Sequence, residues 1–171
     1  MDQTVLVAYA TKYDATREIA EAIGATLREH GLQAEVRPAE EVADLAGYGA
    51  VVLGSAVYAG QWRKEAADLL QAQEAALAAR PVWLFSSGPT GEGDPVGLMK
   101  GWRFPEALAP LAERVGARDR ALFHGDIRAG KLNFAEKLIV KGVKAPMGDF
   151  RDWEAIRGWA RSVAEALKAE D

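Results

Sequence analysis

Thr11 and Thr16 stand five residues apart, with Lys12, Tyr13, Asp14 and Ala15 between them. An apolar, β-branched run (Val5 to Ala10) precedes the pair and reads as a buried strand. Behind it Ile19, Ala20, Ile23, Gly24 and Leu27 recur at spacings of three and four, which reads as a helix. A strand that runs straight into a helix leaves unpaired N–H groups and the positive end of a helix dipole in one small space. Such a space attracts an anion, most often a phosphate. Neither G-x-x-x-x-G-K-S/T nor G-x-G-x-x-G is present. The phosphate would be held by backbone amides and hydroxyls, with no obligatory lysine. Taken alone, the stretch is equally an ordinary strand-to-helix turn with Thr16 as a helix cap.

Two other loops have the composition to meet the first. One is Gly54-Ser55-Ala56-Val57-Tyr58-Ala59-Gly60-Gln61-Trp62, and the other is Ser86-Ser87-Gly88-Pro89-Thr90. Small residues let backbone amides approach a planar ligand closely. Tyr58, Trp62 and Tyr13 can cover the face of such a ligand. Tyr58 and Trp62 can also pack the following helix onto a sheet. His124 ends a late apolar run and can relay protons, although a histidine there is more often partly exposed and idle. His30 sits at a helix end and suggests no chemistry, and Glu92 and Asp94 read as solvated. No Ser-His-Asp order or paired carboxylate stands out. This thin acid–base inventory fits a protein whose bound group carries the reaction.

The elements that must position these loops alternate along the chain. Strand-like runs at 5–10, 32–36, 49–53, 81–85 and 120–123 are separated by helical patterns at 62–79 and 105–115 and by a final one at 152–168. Gly31 reads as the end of the first helix and Asp152 as the N-cap of the last. A polar connector over 38–46 has room for one helical turn, and 90–102 reads as a glycine-rich loop. Short apolar strands alternating with helices imply an α/β fold, a three-layer doubly wound five-stranded parallel sheet. The flavodoxin-like strand order 2-1-3-4-5 suits five strands, and it places ligands beyond the strand ends between strands 1 and 3. A receiver domain shares that order but needs acids where this chain has Ala10 and Gly54.

The 171 residues, 49% hydrophobic and 27% charged, are expected to form one domain over 1–171. A net charge of −4 argues against a general nucleic-acid binder. The chain has no cysteine and two histidines, so thiolate chemistry is excluded and no dedicated metal site is expected. No apolar run is long enough to span a bilayer, and the N-terminus lacks the regions of a signal peptide. A cytoplasmic protein is expected.

Residues 11–20, Val52-Leu53-Gly54-Ser55-Ala56-Val57-Tyr58 and Trp83-Leu84-Phe85-Ser86-Ser87-Gly88-Pro89 together resemble the flavodoxin-domain family. Within it the chain is most similar to menaquinone-dependent protoporphyrinogen IX dehydrogenase and its flavodoxin-like relatives. Phe134-Ala135-Glu136-Lys137 through Asp152-Trp153 adds to that likeness. The resemblance implies FMN, with Thr11 to Thr16 on its phosphate and Ser55, Ala56, Val57, Tyr58, Ser86, Ser87, Gly88 and Pro89 around its ring. It also implies a redox substrate or quinone as partner. This chain has Asp14 where such loops usually carry glycine. A carboxylate about 5 Å from a phosphate costs on the order of 3 kcal/mol per phosphate charge at an effective dielectric near 20. Asp14 is therefore expected to point outward, weakening binding without abolishing it.

The stretch 126–150 reads as an extra basic amphipathic segment. Between Asp126 and Lys144, five basic residues against two acidic ones give a local +3. Lys137, Lys141 and Lys144 share one face of a helical stretch over 131–144. That face can rest on an anionic membrane or steer a carboxylate-bearing substrate such as a porphyrinogen. It can equally be a surface helix with solvated lysines. Three readings stay open: an FMN oxidoreductase of the protoporphyrinogen oxidase type, a flavodoxin-type electron carrier, and a cofactor-free flavodoxin-like interaction domain.

Overall fold

The opening apolar run forms β1 (Thr4–Ala10), and its side chains alternate between two cores. A computed structural model describes residues 4–91, 93–127 and 148–170. Val5, Val7 and Tyr9 face a layer made by α1 (Ala15–Glu29) and α6 (Trp153–Ala169). Leu6, Ala8 and Ala10 face α2 (Lys64–Ala72), α3 (Glu74–Ala78) and α5 (Ala109–Arg114). Strand residues 5–8 are fully buried, and each buried aliphatic side chain contributes about 1.5–3 kcal/mol. Burial on both faces is what a near-continuous apolar strand requires.

The other parallel strands are β2 (Ala34–Pro38), β3 (Tyr48–Tyr58), β5 (Val82–Ser87) and β6 (Arg120–Phe123). Their order is β2-β1-β3-β5-β6. For five parallel strands numbered along the chain this is 2-1-3-4-5, the flavodoxin-like α/β topology. The register sets Ala10 beside Ser55 and Ser55 beside Ser86, so the loops after β1, β3 and β5 leave the same edge.

Several boundaries differ from the expectation. The third strand does not stop near Gly54 but runs on to Tyr58. Ala59 and Gly60, with φ of 51° and 75°, then turn the chain back into β4 (Gln61–Trp62). That is the two-residue hairpin whose positive φ angles match strand twist. Trp62 therefore lies in a strand, and the helix expected over 62–79 is two helices parted at Gln73. The second strand starts later, at Ala34, because Gly31 (φ 86°) and Leu32 close the end of α1. The 90–102 loop holds one short helix, α4 (Pro95–Leu98), capped by Asp94. Glu106–Leu108 is a 3-10 turn leading into α5, and Ala39–Glu41 is the single turn expected in the polar connector.

Residues 128–147 lie outside the described residues, and with them the expected 131–144 helix and Phe134 to Lys137. The flanks of that stretch form an antiparallel ladder, β7 (Asp126–Ile127) with β8 (Gly148–Asp149). Among the described residues, no helix is long and apolar enough to cross a membrane.

Candidate functional site

The loop after β1 is short because Asp14 turns it sharply. Its φ of 68° and ψ of −3° are left-handed, and α1 begins at the next residue. Asp tolerates this region better than most residues. Asp14 is the N-cap of α1, yet its carboxylate takes no backbone N–H of the first turn. It is 57% exposed and lies 3.8 Å from Arg17, which also approaches Glu21. The carboxylate thus points outward, as expected, and the first-turn amides are not capped by it. Thr16 is inside the first turn rather than at the cap. It is 1% exposed, and its hydroxyl lies 2.9 Å from that of Ser87, 71 residues away. If Ser87 donates in that pair, the Thr16 proton remains for an anion. Lys12 and Ala15 flank the turn, and the Lys12 ammonium sits 5.3 Å from the centre of the Tyr13 ring. Burial pushes the Tyr9 phenol up, and Arg17 opposes that shift.

The other side of the rim is assembled from distant residues. The buried Ser55 hydroxyl accepts from the Arg63 amide at 2.9 Å and donates to the Ala56 carbonyl at 2.8 Å. Ser86 accepts the Trp62 indole N–H at 2.8 Å. The Ser55 hydroxyl is thus used in both directions inside the protein, whereas Ser86 accepts and keeps its own proton. Trp62 is buried and meets Phe104 edge-on at 5.1 Å, so it packs the sheet instead of covering a ligand face. Tyr58, 40% exposed at the hairpin tip, keeps that role open, with the Arg63 guanidinium 6.0 Å from its ring. Gly88 lies against Val57: a Cβ there would sit 3.4 Å from the Val57 carbonyl oxygen. Pro89 receives the Gly125 N–H at 2.8 Å, and the Gly88 N–H donates to Phe123.

His124 is not exposed. It is buried, with Nδ1 3.1 Å from the Pro89 carbonyl and Nε2 2.6 Å from the Gly93 carbonyl. A neutral imidazole carries one N–H, so only the imidazolium donates to both. Either way the ring fastens Pro89 and Gly93 to the end of β6, which is the work this histidine does. Thr90 is buried with its hydroxyl unpartnered, on the same loop. A cavity of about 490 Å³ opens between Gly91, His124, Phe150 and Trp153.

Arg151 is the residue that the sequence reading missed. Its side chain is 3% exposed and forks onto Asp149 with two contacts of 2.8 Å. It also reaches Glu18 at 3.2 Å, the Ala15 carbonyl at 3.3 Å and Asp126 at 3.6 Å. These carboxylates raise its pKa further, against the opposing effect of burial. No periodicity marks such a residue. Alternating charge in Asp149-Phe150-Arg151-Asp152 was its one signal.

The rim thus offers a helix N-terminus and a buried Thr–Ser hydroxyl pair at one end. At the other it offers closely packed glycines, a tyrosine-tipped hairpin and a pinned loop that carries the unpartnered Thr90 hydroxyl. Neutral donors at the N-terminus of a helix fit a phosphate. Among the described residues, no group of three His, Cys, Asp or Glu is placed to hold a metal ion.

The family model described as a flavodoxin domain matches residues 6–153. No curated protein sequence matches the chain. Several solved structures share the fold. One is rubredoxin oxygen:oxidoreductase from the anaerobe Desulfovibrio gigas, with a TM-score of 0.63, 16% identity, and coverage of 97% of this chain and 36% of that one. A flavodoxin from the domain Archaea has a TM-score of 0.61 and 15% identity, covering 96% of this chain and 99% of the other. The flavodiiron core of Flv1 from Synechocystis sp. PCC6803 has a TM-score of 0.66 and 17% identity, covering 99% of this chain and 37% of that one. The chain therefore spans little more than a third of the first and third proteins and nearly all of the second.

Proposed function

This chain belongs to the flavodoxin-domain family and is an FMN-binding redox protein; we propose that it is an oxidoreductase of the menaquinone-dependent protoporphyrinogen oxidase type. When bound, FMN supplies the electron chemistry, accepting electrons from one partner and passing them to another. The chain's own residues bind and orient it. The first-turn amides of α1 and the Thr16 hydroxyl, backed by Ser87, would hold the phosphate. Tyr58 and Gly88 to Gly91 would flank the ring, and His124 bonds the Pro89 and Gly93 carbonyls beside them.

One observation carries the oxidoreductase reading over that of a carrier. The ladder β7–β8 pairs Asp126 and Ile127 with Asp149 and Gly148, on either side of the basic stretch, and Arg151 joins that ladder to the first turn of α1. The local +3 that the sequence carries over 126–144 would draw a substrate bearing carboxylates, as porphyrinogens do. The same lysines would let 131–144 rest on an anionic membrane, where a quinone is found. The carrier reading is supported by the end-to-end match to the archaeal flavodoxin.

The test uses the purified protein loaded with FMN, protoporphyrinogen IX and a soluble menaquinone analogue. Porphyrin fluorescence that rises only with both FMN and quinone present is the expected result. A protein that shows a bound-flavin spectrum, adds nothing to spontaneous porphyrinogen oxidation, and shuttles electrons from a reductase to cytochrome c is a carrier. A colourless protein unaltered by excess FMN would leave only the interaction domain. Co-sedimentation with anionic but not neutral vesicles checks the membrane contact.

A further inference from the structure

We propose that Arg151 is a positioning residue for the phosphate end of the FMN site, a role that rests on the FMN reading above. The guanidinium reaches the residue that follows the Thr11–Asp14 loop. It acts through the first turn of α1, where its Nη1 bonds the Ala15 carbonyl at 3.3 Å and the Glu18 carboxylate at 3.2 Å. The opposite side of the fork is fixed. Nε and Nη2 engage both oxygens of Asp149 at 2.8 Å, and Asp126 approaches Nη2 at 3.6 Å. The ring of Trp153 closes the remaining face, 4.8 Å from the guanidinium carbon. One planar, buried cation thus joins β7, β8 and the start of α6 to the turn that presents the phosphate-binding amides.

That turn needs such a support. Asp14 is left-handed and its side chain makes no cap, so the first turn lacks the usual local bond that fixes a helix entry. Arg151 supplies the restraint from 136 residues away. A lysine at 151 would keep the charge but has no fork, and it could not hold Asp149 and Ala15 together. Position and charge are therefore separable.

The experiment compares FMN with riboflavin, which has the same ring and no phosphate. Dissociation constants are read from flavin fluorescence quenching for the full-length wild type, Arg151→Lys and Asp149→Asn. For Arg151→Lys, FMN binding should weaken about tenfold, the scale on which outer-shell partners act on a bound group. Riboflavin binding should change less than about twofold, because the ring end does not depend on Arg151. If Arg151→Lys does not fold, Asp149→Asn keeps the question open to measurement. It removes a negative charge from the cluster around Arg151, so simple electrostatics expects tighter binding of the anionic FMN. Loss of the fork expects weaker binding. Weaker FMN binding with riboflavin unchanged supports the proposal in either variant. Equal weakening of both flavins marks a merely structural residue, and unaltered or tighter FMN binding removes the role altogether. A wild type that binds neither flavin brings down the FMN reading first, and this proposal with it.

Discussion

The two ends of the rim are built in opposite ways. At the end proposed for the phosphate, strand, turn and helix follow one another within residues 4–29, and one distant hydroxyl, Ser87, and one distant cation, Arg151, bond to the first turn. At the end proposed for the ring, the hairpin at Ala59-Gly60 is local and the other links are not. Trp62 bonds Ser86, His124 bonds Pro89 and Gly93, and Gly125 bonds Pro89. A contiguous site is specified by backbone physics that any strand-to-helix junction shares. An assembled one is specified by pairs of side chains whose partners the sequence does not name.

The comparison breaks down if one defect damages both ends alike, and the floor beneath them is where that should happen. A Cβ on Gly54 would sit 2.1 Å from the Phe85 ring, which is fully buried and packed against Phe123 and Trp159. Gly54→Ala should cost about 3 kcal/mol of stability, the upper range for overpacking, and reduce FMN and riboflavin binding together. Thermal unfolding and both titrations check it. A variant as stable as the wild type would mean that the sheet gives way more easily than its packing implies.

Above the floor, the ends should separate. Thr16→Val removes a hydroxyl in a buried pair and leaves Ser87 without its partner. Losing a hydrogen bond to a charged phosphate costs about 2 kcal/mol, or about thirtyfold in the FMN dissociation constant. Riboflavin should bind as before. His124→Gln acts on the other end. Glutamine can replace one of the two carbonyl contacts but not both, so the 89–93 loop loses one anchor, and both flavins should weaken about fivefold, a loss of about 1 kcal/mol. If His124→Gln were to weaken FMN alone, the division between the ends would be wrong.

The same division explains what was legible. Strand order followed from apolar runs separated by helical patterns, since a parallel sheet buried on both faces admits few topologies. The turn at Thr11–Thr16 followed from periodicity changing at one point. The 54–62 stretch was read as loop because its small residues carry no β pattern, although Ala59-Gly60 closes a hairpin there. Trp62 seemed available to a ligand until Ser86 and Phe104 claimed it. His124 seemed idle because the carbonyls it binds belong to residues with no polar side chain to advertise them. Arg151 gives a similar lesson: a buried cation shows itself through its partners, and Glu18 and Asp126 are 133 and 25 residues away.

Asp14 tests the phosphate end most finely, because two effects at one residue can be told apart. The first is electrostatic. Its carboxylate is largely exposed and lies near Arg17, so much of its repulsion of a phosphate is already offset. Asp14→Gly should tighten FMN binding only about threefold, worth roughly 0.6 kcal/mol, and the gain should shrink in concentrated salt. The second is conformational. Asp14 holds a φ of 68°, which glycine adopts without the Cβ penalty. Relief of that strain would raise the stability of the flavin-free protein and would not respond to salt. Titrations at low and high salt, with thermal unfolding of the apoprotein, separate the two. Tighter FMN binding by the wild type than by Asp14→Gly would mean that the carboxylate helps to shape the turn more than it repels the phosphate. The local end of the site would then depend on side-chain chemistry as much as the assembled end does.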